Sequence, residues 1–258
     1  MTDKKEIKMV ISDELPMKDD CVIRHISGNT NRSTIHANSK NPTDTDKLQE
    51  LIVEYIETDI KNLEEFIKNL VKNFNSPLRL QNCKFFRGIK SSEENKLVSN
   101  KIGPNPNPED GRYNTQGEKC LYLIDDNINF LFEELNSLSL PILIQEYNIP
   151  IDDFKIADLS SNNTILHNSL GLAFKMTESG KTSSGYNIEK ALEQRGKSKY
   201  LISQLLARYF KECDWNGLYI PGIHGKPGNH YHNLAIFDTI VDQWEQWAIG
   251  NYFQKTKT

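Results

Sequence analysis

Pro104, Pro106 and Pro108 set the tightest limit on how this chain can fold. The stretch Gly103-Pro104-Asn105-Pro106-Asn107-Pro108-Glu109-Asp110 cannot be helix, because each proline removes a backbone donor and holds the residue before it extended. Directly after it, Gly111 and Gly117 bracket the turn Gly111-Arg112-Tyr113-Asn114-Thr115-Gln116-Gly117. Cys120-Leu121-Tyr122-Leu123-Ile124 is then an apolar run of strand length. The order is therefore rigid loop, turn, short strand, with one cation, Arg112, held at the mouth of the strand. Rigidly held loops are where binding chemistry usually sits. On this stretch alone, a surface arginine in a hairpin connection is the equal alternative.

The chain has 258 residues, enough for one large domain or one domain with an appendage. Its hydrophobic fraction is 37%, low for a globular protein, and Asn is abundant. A net charge of −4 and a pI near 5.9 argue against a broad nucleic-acid-binding face, and no basic stripe with interleaved aromatics occurs. A local basic pocket is compatible with both. Cys21, Cys83, Cys120 and Cys213 are scattered without a CxxC pair, so neither a zinc framework nor a disulfide scaffold is expected, and reduced thiols in a cytoplasm are the simplest reading. No signal peptide is evident, and no apolar run approaches the roughly 20 residues of a membrane span.

Residues 1–43 are polar and read as a weakly packed arm. From Asp44 to Phe74, Leu48, Leu51, Ile52, Tyr55, Ile56, Ile60, Leu63, Ile67, Leu70 and Val71 recur at helical spacing. The length suggests two helices with a bend near Thr58-Asp59. Strands are predicted at Lys84-Phe85-Phe86-Arg87-Gly88-Ile89 and over Pro141–Tyr147. Asp125 and Asp126 cap a short helix that carries Glu133 back over the preceding strand. Residues 160–199 read as an irregular insertion. Lys199–Cys213 is a clean amphipathic helix. Strands Leu218–Ile220 and Asn233–Phe237 flank a Gly/His/Pro loop, and Trp244 and Trp247 are expected on a closing helix. His224, His230 and His232 match no strong zinc spacing, so no metal is expected. Arg87 lies among aromatics, where a charge must be paired or aimed at a polar site. With Arg112 it makes two guanidiniums, a pair able to clamp a phosphate or pyrophosphate in forked fashion.

These pieces, FFRG, GRYN-x-x-G-x-x-x-LYL-x-D, a following Glu, WNGLYIP and NLAIFD, resemble the RES-domain proteins over about residues 83–238. The resemblance implies an α+β fold similar to ADP-ribosyltransferases: a small, partly split mixed sheet with flanking helices, here preceded by a helical segment. With the composition and periodicity of the N-terminal residues, which lie outside the resemblance, the chain divides into a polar arm at 1–43, a helical segment at 44–76 and a RES-like catalytic domain at 77–258. The resemblance implies a toxin of the kind found in bacterial toxin–antitoxin pairs, with NAD as substrate, a cognate antitoxin as partner, and no nucleic acid, membrane or metal. An oligomer is compatible with it.

Residue by residue, the resemblance carries the family's two arginines onto Arg87 and Arg112 and its strand tyrosine onto Tyr122. It carries the family's glutamate onto Glu133, eleven residues beyond Tyr122 (133 − 122). The family's serine falls on Gly222, which has no hydroxyl; His224 is a donor in the same loop, and Ser203 is a poor substitute. Asn114, Gly222, His224 and Asn233 complete the expected binding set. Cleavage of the nicotinamide–ribose bond passes through an oxocarbenium-like state, as in glycosyl transfer. The arginines would hold the pyrophosphate, Glu133 would face the ribose and the developing cation, and Tyr122 would stack on a ring of the substrate. The acceptor stays open between phosphate, water and a protein side chain. Two other classes stay open: a nucleotide-binding or regulatory module without turnover, and an interaction protein acting through the N-terminal helix.

Overall fold

The computed structural model describes residues 44–256 apart from 60, 81–82, 98, 126–127, 138–139, 161–184 and 223–230. The N-terminal arm, most of the middle insertion, and His224 and His230 therefore lie outside the described residues.

The long helical region is two helices. α1 (Asp44–Thr58) and α2 (Asn62–Lys72) are separated at Asp59, whose φ of 58° lies in the left-handed region that no helix continues through. Leu48, Ile52 and Ile56 on α1, and Leu63, Ile67 and Val71 on α2, are buried at four-residue spacing. Their stripe enters the same core as α4 (Ile188–Gln194) and α5 (Leu201–Glu212). The apolar face of the N-terminal helices is thus covered by this chain's own core.

The strands are β1 (Phe85–Lys90), β2 (Cys120–Ile124), β3 (Ile142–Tyr147), β4 (Ile156–Asp158), β5 (Gly217–Pro221), β6 (His232–Phe237) and β7 (Ala248–Lys255). They form one mixed sheet in the order β4-β5-β6-β2-β1-β3-β7, parallel only at β4–β5. Alternation along each strand feeds two cores. Cys120, Leu218, Ile220, Ala235 and Phe237 face the helices. Leu121, Leu123, Tyr219, Leu234 and Ile236 face Trp244 and Trp247. The expected α+β class, a mixed sheet flanked by helices, is what forms.

The closing helix is shorter than expected. α6 (Trp244–Trp247) is one turn, and the chain then runs into β7 along β3 at the sheet edge. Cys83 is disulfide-bonded, where reduced thiols were expected; Cys120 and Cys213 are free. Among the described residues, no helix is long and apolar enough to cross a membrane.

The site is positioned by the joint between β2 and β1. β1 pairs with β3 along its whole length, but with β2 only at Phe86↔Ile124. Beyond that pair the two strands diverge, and the sheet opens between Gly88-Ile89-Lys90 on one side and Tyr122-Leu123 on the other. Short α3 (Phe130–Glu134) lies over the opening. Leu131 and Leu135 come so close to Gly88 that a Cβ there would sit 3.0 Å from Leu135 Cδ1.

Candidate functional site

The opening is a cavity of about 460 Å³, within the roughly 300–1,000 Å³ usual for small-molecule sites. β1 contributes Arg87 and Lys90, the Gly111–Asn114 turn contributes Arg112, α3 contributes Glu134, and β6 contributes Asn233. Its charged lining is three cations (Arg87, Lys90, Arg112) and two carboxylates (Glu93, Glu134), in a chain whose net charge is −4.

Arg87 spans the split. Its Nη1 donates to the Tyr122 carbonyl at 3.1 Å, a β2 acceptor that the diverging β1 backbone no longer reaches. Its Nε is buried with no hydrogen-bond partner, and no carboxylate pairs with it among the described residues. Burial pulls the guanidinium below its ordinary pKa. An under-satisfied, desolvated guanidinium on a cavity wall favours an anionic occupant.

Arg112 is the second cation, its Nη1 3.2 Å from Glu134 Oε2. The turn that carries it is braced from three directions. Tyr122 Oη donates to Asn114 Oδ1 at 2.6 Å and accepts from the Tyr113 N–H at 3.0 Å. Asn114 Nδ2 donates to the carbonyls of Glu109 and Thr115. Gln204, buried on α5, donates to the carbonyls of Gly111 and Asn114, each at 3.0 Å. A Cβ at Gly111 would lie 2.4 Å from Asn114 Oδ1 and 2.6 Å from Tyr122 Oη, so only glycine lets the turn pass. Burial raises the Tyr122 phenol well above its ordinary value, which keeps it protonated as the donor to Asn114. Burial likewise pushes the Cys120 thiol up to about 12, so it offers no thiolate near neutral pH.

The structure brings only some of the expected residues to the cavity. Glu133 does not line the cavity; Glu134 does. Helical phase explains the exchange: Leu131, Glu134 and Leu135 recur at three and four residues and share the face over the opening, while Glu133 points off it. Asn114 does not line the cavity either; its side chain is used up inside the turn. Gly222 lies away from the lining, with the Tyr231 ring where a side chain would be. Tyr122 lines the cavity with its ring stacked on Tyr113 at 5.7 Å, while its hydroxyl belongs to the turn. Arg87, Arg112, Tyr122 and Asn233 come together on one cavity.

Sequence reasoning set Glu134 aside as pointing elsewhere on its helix than Glu133, and missed Gln204, Tyr200, Asn105 and Tyr231 as site residues. Gln204 left a trace: it is an amide on the apolar face of a helix, between Leu201, Leu205 and Ile202. Tyr231 donates its hydroxyl to Glu134 Oε1, which also accepts from Asn233 Nδ2 at 3.3 Å. On the other face of β6, His232 Nδ1 lies 2.8 Å from Asp125 Oδ2, so this histidine is engaged in a buried pair.

No family model matches the chain, and no curated protein matches it. Among solved structures, the chain is similar to the crystal structure of the M. tuberculosis MbcT-MbcA toxin-antitoxin complex, with a TM-score of 0.40 and 10% identity over 74% of this chain and 92% of that one.

Proposed function

We infer that the cavity binds NAD and cleaves its nicotinamide–ribose bond, and that the protein is a toxin-like enzyme restrained by an antitoxin partner. One observation carries the reading. Two guanidiniums from distant parts of the chain, one with an unpartnered buried Nε, share a cavity with a carboxylate. The resemblance of the FFRG and GRYN–LYL motifs to RES-domain proteins supports it, since those motifs supply both arginines.

In this reading Arg87 and Arg112 fork onto the pyrophosphate oxygens. Glu134 accepts from a ribose hydroxyl through Oε2 and places its charge beside the anomeric carbon as that carbon becomes cationic. The C1′–N bond breaks with its electron pair going to nicotinamide, which leaves neutral. An oxygen of water, phosphate or a protein side chain bonds to C1′, and its proton passes to solvent. The Tyr122 ring forms a wall against which a base or nicotinamide ring packs.

The purified full chain incubated with NAD, with and without inorganic phosphate, tests the reading by mass analysis of the products. Free nicotinamide is expected, with ADP-ribose, its phosphate ester or a protein adduct identifying the acceptor. Recovery of intact NAD under both conditions overturns it.

A further inference from the structure

Glu134 is held from behind by a residue that is not part of the cavity wall. Tyr231 is 1% exposed and stacks on Phe130, with ring centroids 4.2 Å apart and planes 18° apart. From there its hydroxyl donates to Oε1 of Glu134. The ring reaches this position because of Gly222. The Gly222 N–H donates to the Tyr231 carbonyl at 2.8 Å, one step beyond the Pro221↔His232 pair of β5 and β6. A Cβ at residue 222 would lie 2.0 Å from Tyr231 Cζ and 2.3 Å from both neighbouring ring carbons, so no side chain fits there while the ring stays.

The carboxylate's acceptor positions can be counted. It offers about four lone-pair sites, two on each oxygen. Oε1 takes Tyr231 and Asn233, and Oε2 takes Arg112. The position left over is on Oε2. Tyr231, just before β6, and Asn233 alternate with His232, and His232 ties the opposite face to Asp125 through both its backbone N–H (3.0 Å) and Nδ1 (2.8 Å). Stacking of His232 on Tyr219 at 4.7 Å, with Tyr219 Oη donating to Asp125 Oδ2 at 2.9 Å, completes the anchor. The start of β6 is thus fixed on one face, so that the other can hold a carboxylate in register.

We propose that Tyr231 is a positioning residue for the cleavage reaction: its hydroxyl, admitted by Gly222, fixes the rotation of the Glu134 carboxylate so that Oε2 is turned to the ribose. This rests on the reading given under Proposed function. A tyrosine that merely fills the core would act through its ring; a positioning tyrosine acts through its hydroxyl.

Tyr231→Phe separates the two, because it keeps the ring, the stack on Phe130 and the packing on Gly222 and removes only the O–H. Nicotinamide release from NAD is measured as kcat and KM, with the melting midpoint measured alongside. The expected result is a fall in kcat of about tenfold or more with KM within about twofold, since a carboxylate loosened by a fraction of an ångström loses transition-state rather than ground-state contacts. The midpoint falls by no more than the few degrees that losing one hydrogen bond costs. Gly222→Ala is expected to lower kcat similarly by displacing the ring, and the double variant to be no slower than the slower single, because both act on one contact. Parent-like kcat in Tyr231→Phe, or a change confined to KM, overturns the proposal while leaving NAD cleavage standing. A parent that releases no nicotinamide overturns both. If Gly222→Ala does not fold, Tyr231→Phe decides by itself.

Discussion

Two carboxylates in this protein are held in nearly the same way. Glu64 on α2 accepts from Tyr55 at 3.3 Å, Tyr209 at 3.1 Å and Arg208 Nη2 at 3.3 Å. Glu134 on α3 accepts from Tyr231, Asn233 and Arg112. In both clusters an arginine and a phenol saturate a partly buried carboxylate. Around Glu64 the donors and acceptors satisfy one another between α1, α2 and α5. Burial, and after it the Glu64 charge, raises the phenols of Tyr55 and Tyr209, which stay protonated as donors. Around Glu134 a second guanidinium is left over: Arg87, with a buried Nε that nothing accepts, beside open space. An ion pair with a tyrosine on it is a common way to pin helices. Surplus cationic donors facing a cavity are what would turn the same motif into the binding site proposed above.

The largest expected difference between the clusters is in turnover. Glu134→Gln should lower nicotinamide release by roughly a thousandfold, the scale of losing one preorganised charge at a transition state. Glu64→Gln and Glu133→Gln should leave it near the parent's. Equal losses in Glu134→Gln and Glu133→Gln would break the distinction drawn from helical phase. Next in size is Arg87→Lys. A point charge cannot fork onto two phosphate oxygens, so affinity for ADP-ribose, measured by calorimetry, should weaken by about one to two orders of magnitude. Affinity unchanged from the parent would remove Arg87 from the anion site.

A third variant asks whether the turn needs its brace. Gln204→Leu leaves the Gly111 and Asn114 carbonyls without their buried donor, at a cost of about 1–3 kcal/mol that a melting curve would register. Release should fall with it, because Arg112 rides on that turn, whereas Glu64→Gln should cost about 1 kcal/mol of stability with no loss of activity. The smallest effect concerns Glu118, which ties the same turn to α5 through the Thr115 N–H at 2.8 Å and Lys211 Nζ at 3.0 Å. Burial pushes the Glu118 carboxyl up, but the Thr115 backbone N–H and Lys211 outweigh it and hold it below its usual value. A depressed carboxylate stabilises the fold above its unfolded pKa and stops doing so as pH falls through the folded one. The difference in melting midpoint between the parent and Glu118→Gln should therefore be present at pH 7 and close below about pH 4. A difference that grows on acidification would contradict the tie.

Much of this was readable before any coordinates, and for local reasons. The bend at Asp59, the two guanidiniums on a strand end and a glycine-bracketed turn, and the amphipathic α5 all depend on residues within a few positions of one another. The choice between Glu133 and Glu134 was also local in principle. The spacing carried over from the family resemblance pointed to one, while the three-and-four rhythm of Leu131, Glu134 and Leu135 pointed to the other, and it is the rhythm that decides where a side chain faces. β7 escaped because one turn of helix and Gly250 at a φ of 58° interrupt the pattern on either side of Ile249.

The sequence by itself determined the prolines' irregular loop, the alternation that builds a two-faced sheet, and which side chains could carry charge to a site. Propensity, period and backbone sterics act over short separations, so they are legible in order. Only the tertiary structure decided that β1 and β2 would part after a single pair, that a glutamine from α5 would hold the turn, and that a glycine at 222 would make room for a tyrosine nine residues on (231 − 222) to steady Glu134. Those outcomes depend on which surfaces meet across the core, and burial is indifferent to how far apart in the chain its partners began.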